Sequence, residues 1–458
     1  MNTAVLITAA GILDAASVEH APGALLLGPA PKSVSHLPFA WTVFAAGAPG
    51  EVARHPAAAA ATRIAMPDTL LTPAFANAHT HLDLTALGPR RFDPERGFIG
   101  GIDSIRADRR TTVDAAAESL RLGVERSLAG GVVAVGDIIG GPPDVMRACV
   151  AALRDSPLVG AAFLEAFGLP PHERIVAERL VGLAASMPAR AGGVHLGLQP
   201  HAPYSAGPLL YAECAKAAEE RGLALSSHLA ESMDERRFVA EATGLFRTFL
   251  EHLGLWSDAI FAPETGLGAG RHPIEHIGAV LESRPAPRWL FAHCNDAPDK
   301  GIEILARLGA SVAYCPRSSA YFGHPGQLGP HRWSAMRDAG VNVCLGTDSI
   351  VGLTPESSGG LPRISPLDEI RVLHAATGAD PKTLLEMATL NPAKALGLDP
   401  SHFEFNNGAI AGIAAIRLSD DAAWRSPREQ LVAPDVGVEL LSDRKIMPLG
   451  RTSAAEGG

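Results

Sequence analysis

Residues 75–84, FANAHTHLDL, form an apolar run that ends in two histidines one residue apart, His79 and His81. Side chains two apart on a strand project from the same face, so a strand ending here aims both imidazoles at one point. A single His-X-His is weak by itself, because two partly exposed imidazoles at a strand end need no function. Its meaning depends on whether other apolar runs end the same way.

They do. Seven more β-type runs follow, at 131–138, 159–168, 193–203, 223–232, 289–296, 311–318 and 341–349. Helical stretches lie between them. Residues 111–131 begin at paired threonines and stop at Gly130-Gly131, residues 206–222 end on Gly222, and 300–310 and 366–377 show helical periodicity. Eight apolar runs alternating with helices predict an α/β fold of the (β/α)₈ barrel type, over residues 73–395. An open doubly wound sheet is the alternative, but no glycine-rich dinucleotide fingerprint follows any run. Residues 1–72 and 396–458 read as short strands and turns that join in a small composite β domain, with a disordered tail at 451–458. Two connections are too long for turns, 82–110 and 233–288, the latter with a helix near 234–254. Insertions of that length after barrel strands predict walls or lids over the catalytic face.

Composition narrows the function. The chain has 458 residues, 47% of them hydrophobic and 19% charged, which is enough apolar mass for a large core and a satellite. A net charge of −10 gives no basic footprint for nucleic acid or anionic lipid, so neither is expected as a partner. The first Lys or Arg is Lys32, and no apolar run nears the roughly 20 residues that span a bilayer. Cys149, Cys214, Cys294, Cys315 and Cys344 are dispersed and odd in number, which fits reduced thiols and a cytoplasmic location. Assembly into a homo-oligomer stays open.

The strand ends carry the chemistry. The first run ends in His79 and His81, the fourth in Gln199 and His201, and the fifth in His228 and Glu231. The sixth ends in His293 and the eighth in Asp348. In a barrel the C-terminal strand ends converge on one pocket, so five of the 17 histidines meet two carboxylates there. Each histidine alone is more often structural; the convergence is what points to a site. Three imidazoles and a carboxylate (His79, His81, His228 and Asp348) are a ligand set for a borderline divalent ion with an open position for water. Such an ion lowers the pKa of bound water from ~15.7 to about 7. Glu231, three residues past His228, suits a proton shuttle.

The segments NAHTHL, PHAPYS, HLAES, AHCN, CPRSS and LGTDS, in this order, resemble the amidohydrolase superfamily, in its cytosine-deaminase and triazine-hydrolase branch. The resemblance covers roughly residues 67–417. It implies a metal-dependent barrel with a composite β domain, and one Zn or Fe ion held by His79, His81, His228 and Asp348. It further implies Glu231 as proton shuttle, His293 orienting the water, Asp348 accepting its proton, and His201 facing the substrate. Binuclear relatives carry a modified lysine at the end of strand 4, where this chain has Gln199; one metal is therefore expected. Two positions depart from the family pattern: Pro73-Ala74 replaces the common Pro-Gly, and Cys315-Pro316-Arg317-Ser318-Ser319 replaces Cys-Pro-X-Ser-Asn.

The implied activity is hydrolytic deamination of a small amino-heterocycle, an adenine nucleoside-type metabolite. Alternatives are release of chloride or opening of a cyclic amide by the same machinery, and a non-catalytic assembly protein on a hydrolase barrel. Arg317 is expected to face the pocket and bind a substrate carboxylate through its fork, with a surface salt bridge as the competing reading.

Overall fold

The computed structural model describes residues 4–34, 36–282, 288–355 and 360–442. Two sheets organise it. The first combines β1 (Val5–Leu13), β2 (Gly23–Pro29), β3 (Trp41–Gly47) and β4 (Thr62–Pro73) with strands from the far end of the chain. The second is the barrel: β5 (Phe75–Thr80), β6 (Val132–Ile139), β7 (Val159–Ala166), β8 (Val194–Pro200), β9 (Ala224–Leu229), β10 (Trp289–His293), β11 (Ser311–Tyr314) and β12 (Asn342–Leu345). All eight pair in parallel, each with its neighbour in sequence. The strands β13 (Gly408–Ile410), β14 (Ile413–Leu418) and β15 (Asp435–Leu440) return to the first sheet, whose order is β13-β3-β2-β1-β4-β14-β15. The fold is therefore the expected barrel with a sheet built from both ends of the chain. The tail expected to be disordered lies outside the described residues, and no helix among those described is long and apolar enough to cross a membrane.

The run 70–79 is one apolar stretch in the sequence but two strands in space. Pro73 closes β4, opposite Ile413 of β14, and the next amide, Ala74, donates to Gly412. One residue later β5 begins, in the other sheet. A proline at this junction takes nothing from either ladder, since the N–H it lacks would lie where the chain changes partners.

The barrel closes between its first and last strands. Asn77 Nδ2 donates to Thr347 Oγ1 at 2.8 Å, and Thr347 N donates back to Asn77 Oδ1 at 3.1 Å. The amides of Thr347 and Asp348 both donate to the His79 carbonyl, and Thr80 bridges Asp348. Gly346 is required at this seam, because a Cβ there would lie 2.9 Å from His79 Cβ and 3.0 Å from the His79 carbonyl.

Both long insertions pack over the C-terminal strand ends. The first contributes the helix Gly97–Asp108. The second contributes the helix Pro273–Leu281 and, near 234–254 where the sequence suggested one helix, two, Met233–Glu241 and Leu245–His252. The break falls at left-handed Ala242 (φ 62°) and Gly244 (φ 91°), which no continuous helix accommodates. Phe98, Phe238, Phe246, Leu250 and Tyr204 join these segments in an apolar cluster of their own, apart from the main core.

Candidate metal centre and active site

His79, His81, His201, His228, His293, Glu231 and Asp348 meet at one end of the barrel. The ring of His79 lies 5.0 Å from that of His81, 5.1 Å from His228 and 5.4 Å from His293, centroid to centroid. Ligand atoms of His79, His81 and Asp348 lie within 4.8 Å of one another, as do those of His79, His228 and His293. Asp348 Oδ1 stands 3.4 Å from His81 Nε2 and 3.8 Å from His79 Nε2. His293 (φ 72°) and Asp348 (φ 56°) are held in the left-handed backbone region, uncommon outside glycine and concentrated at functional sites.

The electrostatics suit a divalent ion. His79 is fully buried, and neither of its ring nitrogens has a hydrogen-bond partner. A buried polar atom without a partner costs roughly 1–3 kcal/mol, and among the clustered imidazoles and Asp348 the His79 ring fits an ion as its partner. Burial also holds His79 well below its ordinary pKa and pulls His81 down to about 3, which keeps both imidazoles neutral, the form that ligates metals. Asp348 stays below the usual carboxylate range. Burial works against its charge, but His293, His81 and His79, protonated in the acid range where Asp348 titrates, and the Ser318 hydroxyl outweigh it. His228 Nδ1 donates to the His201 carbonyl at 3.0 Å, leaving Nε2 for an ion.

Glu231 is placed by the turn that follows β9. Glu235 is fully buried, and its two oxygens accept the Ala230 and Glu231 amides, each at 2.8 Å. Asn295 Nδ2 donates to the Glu231 carbonyl at 3.1 Å. The Glu231 carboxyl then lies 3.6 Å from His293 Nε2. Burial, reinforced by the charge of Asp348, pushes its pKa well up, which favours its protonated form.

A cavity of about 660 Å³ opens from this cluster. His81, His201, His228, Glu231, His293 and Asp348 line its floor; Phe98, Phe167, Phe246, Phe249, Leu250 and Leu255 are among the apolar residues of its walls. The insertions are thus pocket walls. Phe167 lies 4.4 Å from the ring of His201, whose pKa burial holds well down.

Among the lining residues that the sequence reading did not single out are Glu165, Arg109 and Arg179. Glu165 ends β7 and faces His201 Nε2 at 3.8 Å; Arg109 bridges Glu165 (3.2 Å) and Asp83 (2.6 Å). The strand-end rule that found the histidines applies equally to Glu165. Arg109 comes from a loop with no periodic signal. The third, Arg179, lies on the helix Glu173–Ala185, is exposed, and has no ion pair among the described residues.

Arg317 is a correction: it does not line the cavity. Its Nε donates to Glu369 Oε1 at 2.5 Å, Nη2 to the Ser365 carbonyl at 3.3 Å, and Nη1 lies 3.7 Å from Asp368. Glu369 is a fully buried carboxylate. Left unpaired it would be costly, and the guanidinium turns to it rather than to the pocket.

A parallel (β/α)₈ barrel with five histidines and two carboxylates at its strand ends defines a hydrolase barrel built for a divalent metal. The amidohydrolase family model matches residues 70–433, and the chain belongs to that family. The chain is 31% identical over 323 residues to aminodeoxyfutalosine deaminase of Deinococcus radiodurans, covering 68% of this chain and 70% of the relative. It is 26% identical to a 5-methylthioadenosine/S-adenosylhomocysteine deaminase of Nitratidesulfovibrio vulgaris, covering 73% and 68%. Among solved structures, Helicobacter pylori aminofutalosine deaminase shares the fold with TM-score 0.68 at 20% identity, covering 96% of this chain and 98% of that one. The zinc complex of atrazine chlorohydrolase from Arthrobacter aurescens does so at 0.66 and 19%, covering 93% and 91%.

Proposed function

We propose that the protein is a zinc-dependent deaminase of a small adenine nucleoside-type substrate. The observation that carries this reading is the convergence of the buried, partnerless His79 with His81, His228 and Asp348 beside Glu231, at the end of the barrel from which the cavity opens. His79, His81, His228 and Asp348 would hold the ion, which when bound supplies a Lewis acid that activates water. Glu231 gives its proton to the ring nitrogen beside the amine-bearing carbon, takes one from the water, and delivers it to the departing ammonia. His293, 3.6 Å from Glu231, orients the water, and Asp348 accepts a proton from it. His201, backed by Phe167, faces the heterocycle. The deaminase names of the curated relatives support this chemistry. Five free, buried cysteines agree with a reducing, cytoplasmic setting.

The cavity suits more than a base. Much of its lining is apolar, and of the arginines that line it, Arg109 is paired with Asp83 and Glu165 and Arg106 with Asp103. Arg179 is left for a ligand. An adenine nucleoside bearing an aromatic carboxylate, as in aminodeoxyfutalosine, matches a largely apolar cavity that also offers a guanidinium.

The test is a panel of adenosine, a carboxylate-bearing adenosine derivative, a chlorotriazine and a cyclic amide, assayed for ammonia, chloride and new carboxylate. Ammonia alone is expected, with higher kcat/KM for the carboxylate-bearing nucleoside and loss of that preference in Arg179→Met. Glu231→Gln should lower kcat by roughly 10²-fold or more while keeping its zinc. Chloride or carboxylate as the product, or no ammonia from any nucleoside, refutes the assignment.

A further inference from the structure

The short helix Pro316–Tyr321 follows β11 and carries the residue that touches Asp348. Ser318 Oγ donates to Asp348 Oδ2 at 2.6 Å, while Oδ1 faces His79 and His81. One carboxylate oxygen is thereby occupied and the other turned toward the imidazoles. Asp348 sits in a left-handed conformation, so its side chain needs support from outside its own backbone.

That support has an unusual origin. A helix of six residues does not hold itself, since isolated helices below ~12–15 residues are marginal in water. Its N-cap, Cys315, makes no side-chain capping bond. The cap comes instead from another helix, Pro366–Thr377. Glu369 Oε2 accepts the Arg317 backbone N–H at 2.9 Å, and Glu369 Oε1 accepts Arg317 Nε at 2.5 Å. One buried carboxylate therefore serves an orphan amide of the first turn and the guanidinium of the same residue. Arg317 is adjacent to Ser318. Fixing its backbone and side chain together fixes the direction of the next hydroxyl.

We infer that Glu369 and Arg317 are positioning residues that hold the Ser318 hydroxyl on Asp348 and thereby set the ligand geometry of the metal centre. The inference rests on reading Asp348 as a metal ligand. It gives Arg317 a task in the site even though it touches neither the cavity nor the substrate. A buried ion pair adds little to stability compared with an apolar replacement, but it fixes geometry. Partners behind metal ligands commonly change metal affinity by 10–100-fold when removed.

The test measures zinc affinity of the full-length protein by chelator competition, with unfolding midpoints in parallel. Asp348→Asn is the control for the underlying reading: if it binds zinc as the wild type does, Asp348 is not a ligand and the reading itself fails. With that control showing loss, Ser318→Ala and Arg317→Met should each weaken zinc binding by about tenfold. Ser318→Thr, which keeps the hydroxyl, should stay near wild type. The double variant Ser318→Ala/Arg317→Met should lose no more than the weaker single variant, because both act through one hydrogen bond. Losses that multiply to about a hundredfold, or wild-type zinc affinity in Arg317→Met with only a lowered midpoint, overturn the inference. If Arg317→Met does not fold, Glu369→Gln takes its place in the cycle under the same criteria.

Discussion

Glu235→Gln separates the turn that aims Glu231 from the chemistry Glu231 performs. In the native turn the two Glu235 oxygens each accept one amide, from Ala230 and Glu231, at 2.8 Å, with no solvent access. Glutamine fills the same volume but has one oxygen. Its amide NH₂ must face one of the two N–H groups, which leaves a buried donor unpaired opposite another donor. An orphaned buried donor costs about 1–3 kcal/mol, equivalent to roughly a 5- to 150-fold shift in the folding equilibrium. Ala230 is held at φ 50°, so loosening these bonds also lets the turn relax toward commoner conformations and carries Glu231 with it. Urea unfolding should therefore show a lower midpoint at unchanged slope, by about 1–3 kcal/mol. The kcat should fall while zinc content holds, because none of the four expected ligands has moved. A Glu235→Gln protein with wild-type midpoint and wild-type kcat would refute the account of how Glu231 is placed.

Two further predictions concern the barrel seam and its histidines. Gly346→Ala should cost about 1–3 kcal/mol by overpacking and weaken zinc binding as well, because the new methyl meets His79 at 2.9 Å; zinc titration of the refolded variant checks this, and an unaltered affinity argues against the close approach. In metal-free protein, burial holds His79, His201 and His293 well below 6.5 and His81 at about 3. The unfolded chain takes up protons near pH 6.5 that the folded chain refuses, so stability is full above that pH and falls as pH drops below it, by ~1.4 kcal/mol per unit for each group. Urea midpoints at pH 7, 6 and 5 should fall together, and zinc should restore them; a flat profile refutes the neutral assignment.

Much of the fold and the cluster was legible because each depends on a local rule. Eight apolar runs announce eight strands, and polar residues at their ends converge whatever the loops do. Residues 206–222 read as a helix closed by a glycine, and Gly222 is left-handed in its C-cap position. What escaped depends on partners far away in sequence. The run 70–79 changes sheets at Pro73 because Gly412 and Ile413 are there to meet it, some 340 residues later. Arg317 looked free for a substrate because its partner, Glu369, is 52 residues on and reads as an ordinary helix carboxylate. Arg109 lies in an aperiodic insertion, and its salt bridges to Asp83 and Glu165 are contacts that no spacing encodes.

The seam between β5 and β12 also orders events during synthesis. His79 and His81 leave the ribosome early; Asp348, whose amide closes the barrel onto the His79 carbonyl, comes 269 residues after His79. At roughly 5–20 residues per second that interval is on the order of ten to fifty seconds. Throughout it the nascent chain displays a His-X-His pair with neither its carboxylate nor its closing strand. The complete donor set proposed for the ion therefore exists only once residue 348 has been made, and a chain stalled before it carries a partial set of imidazole donors.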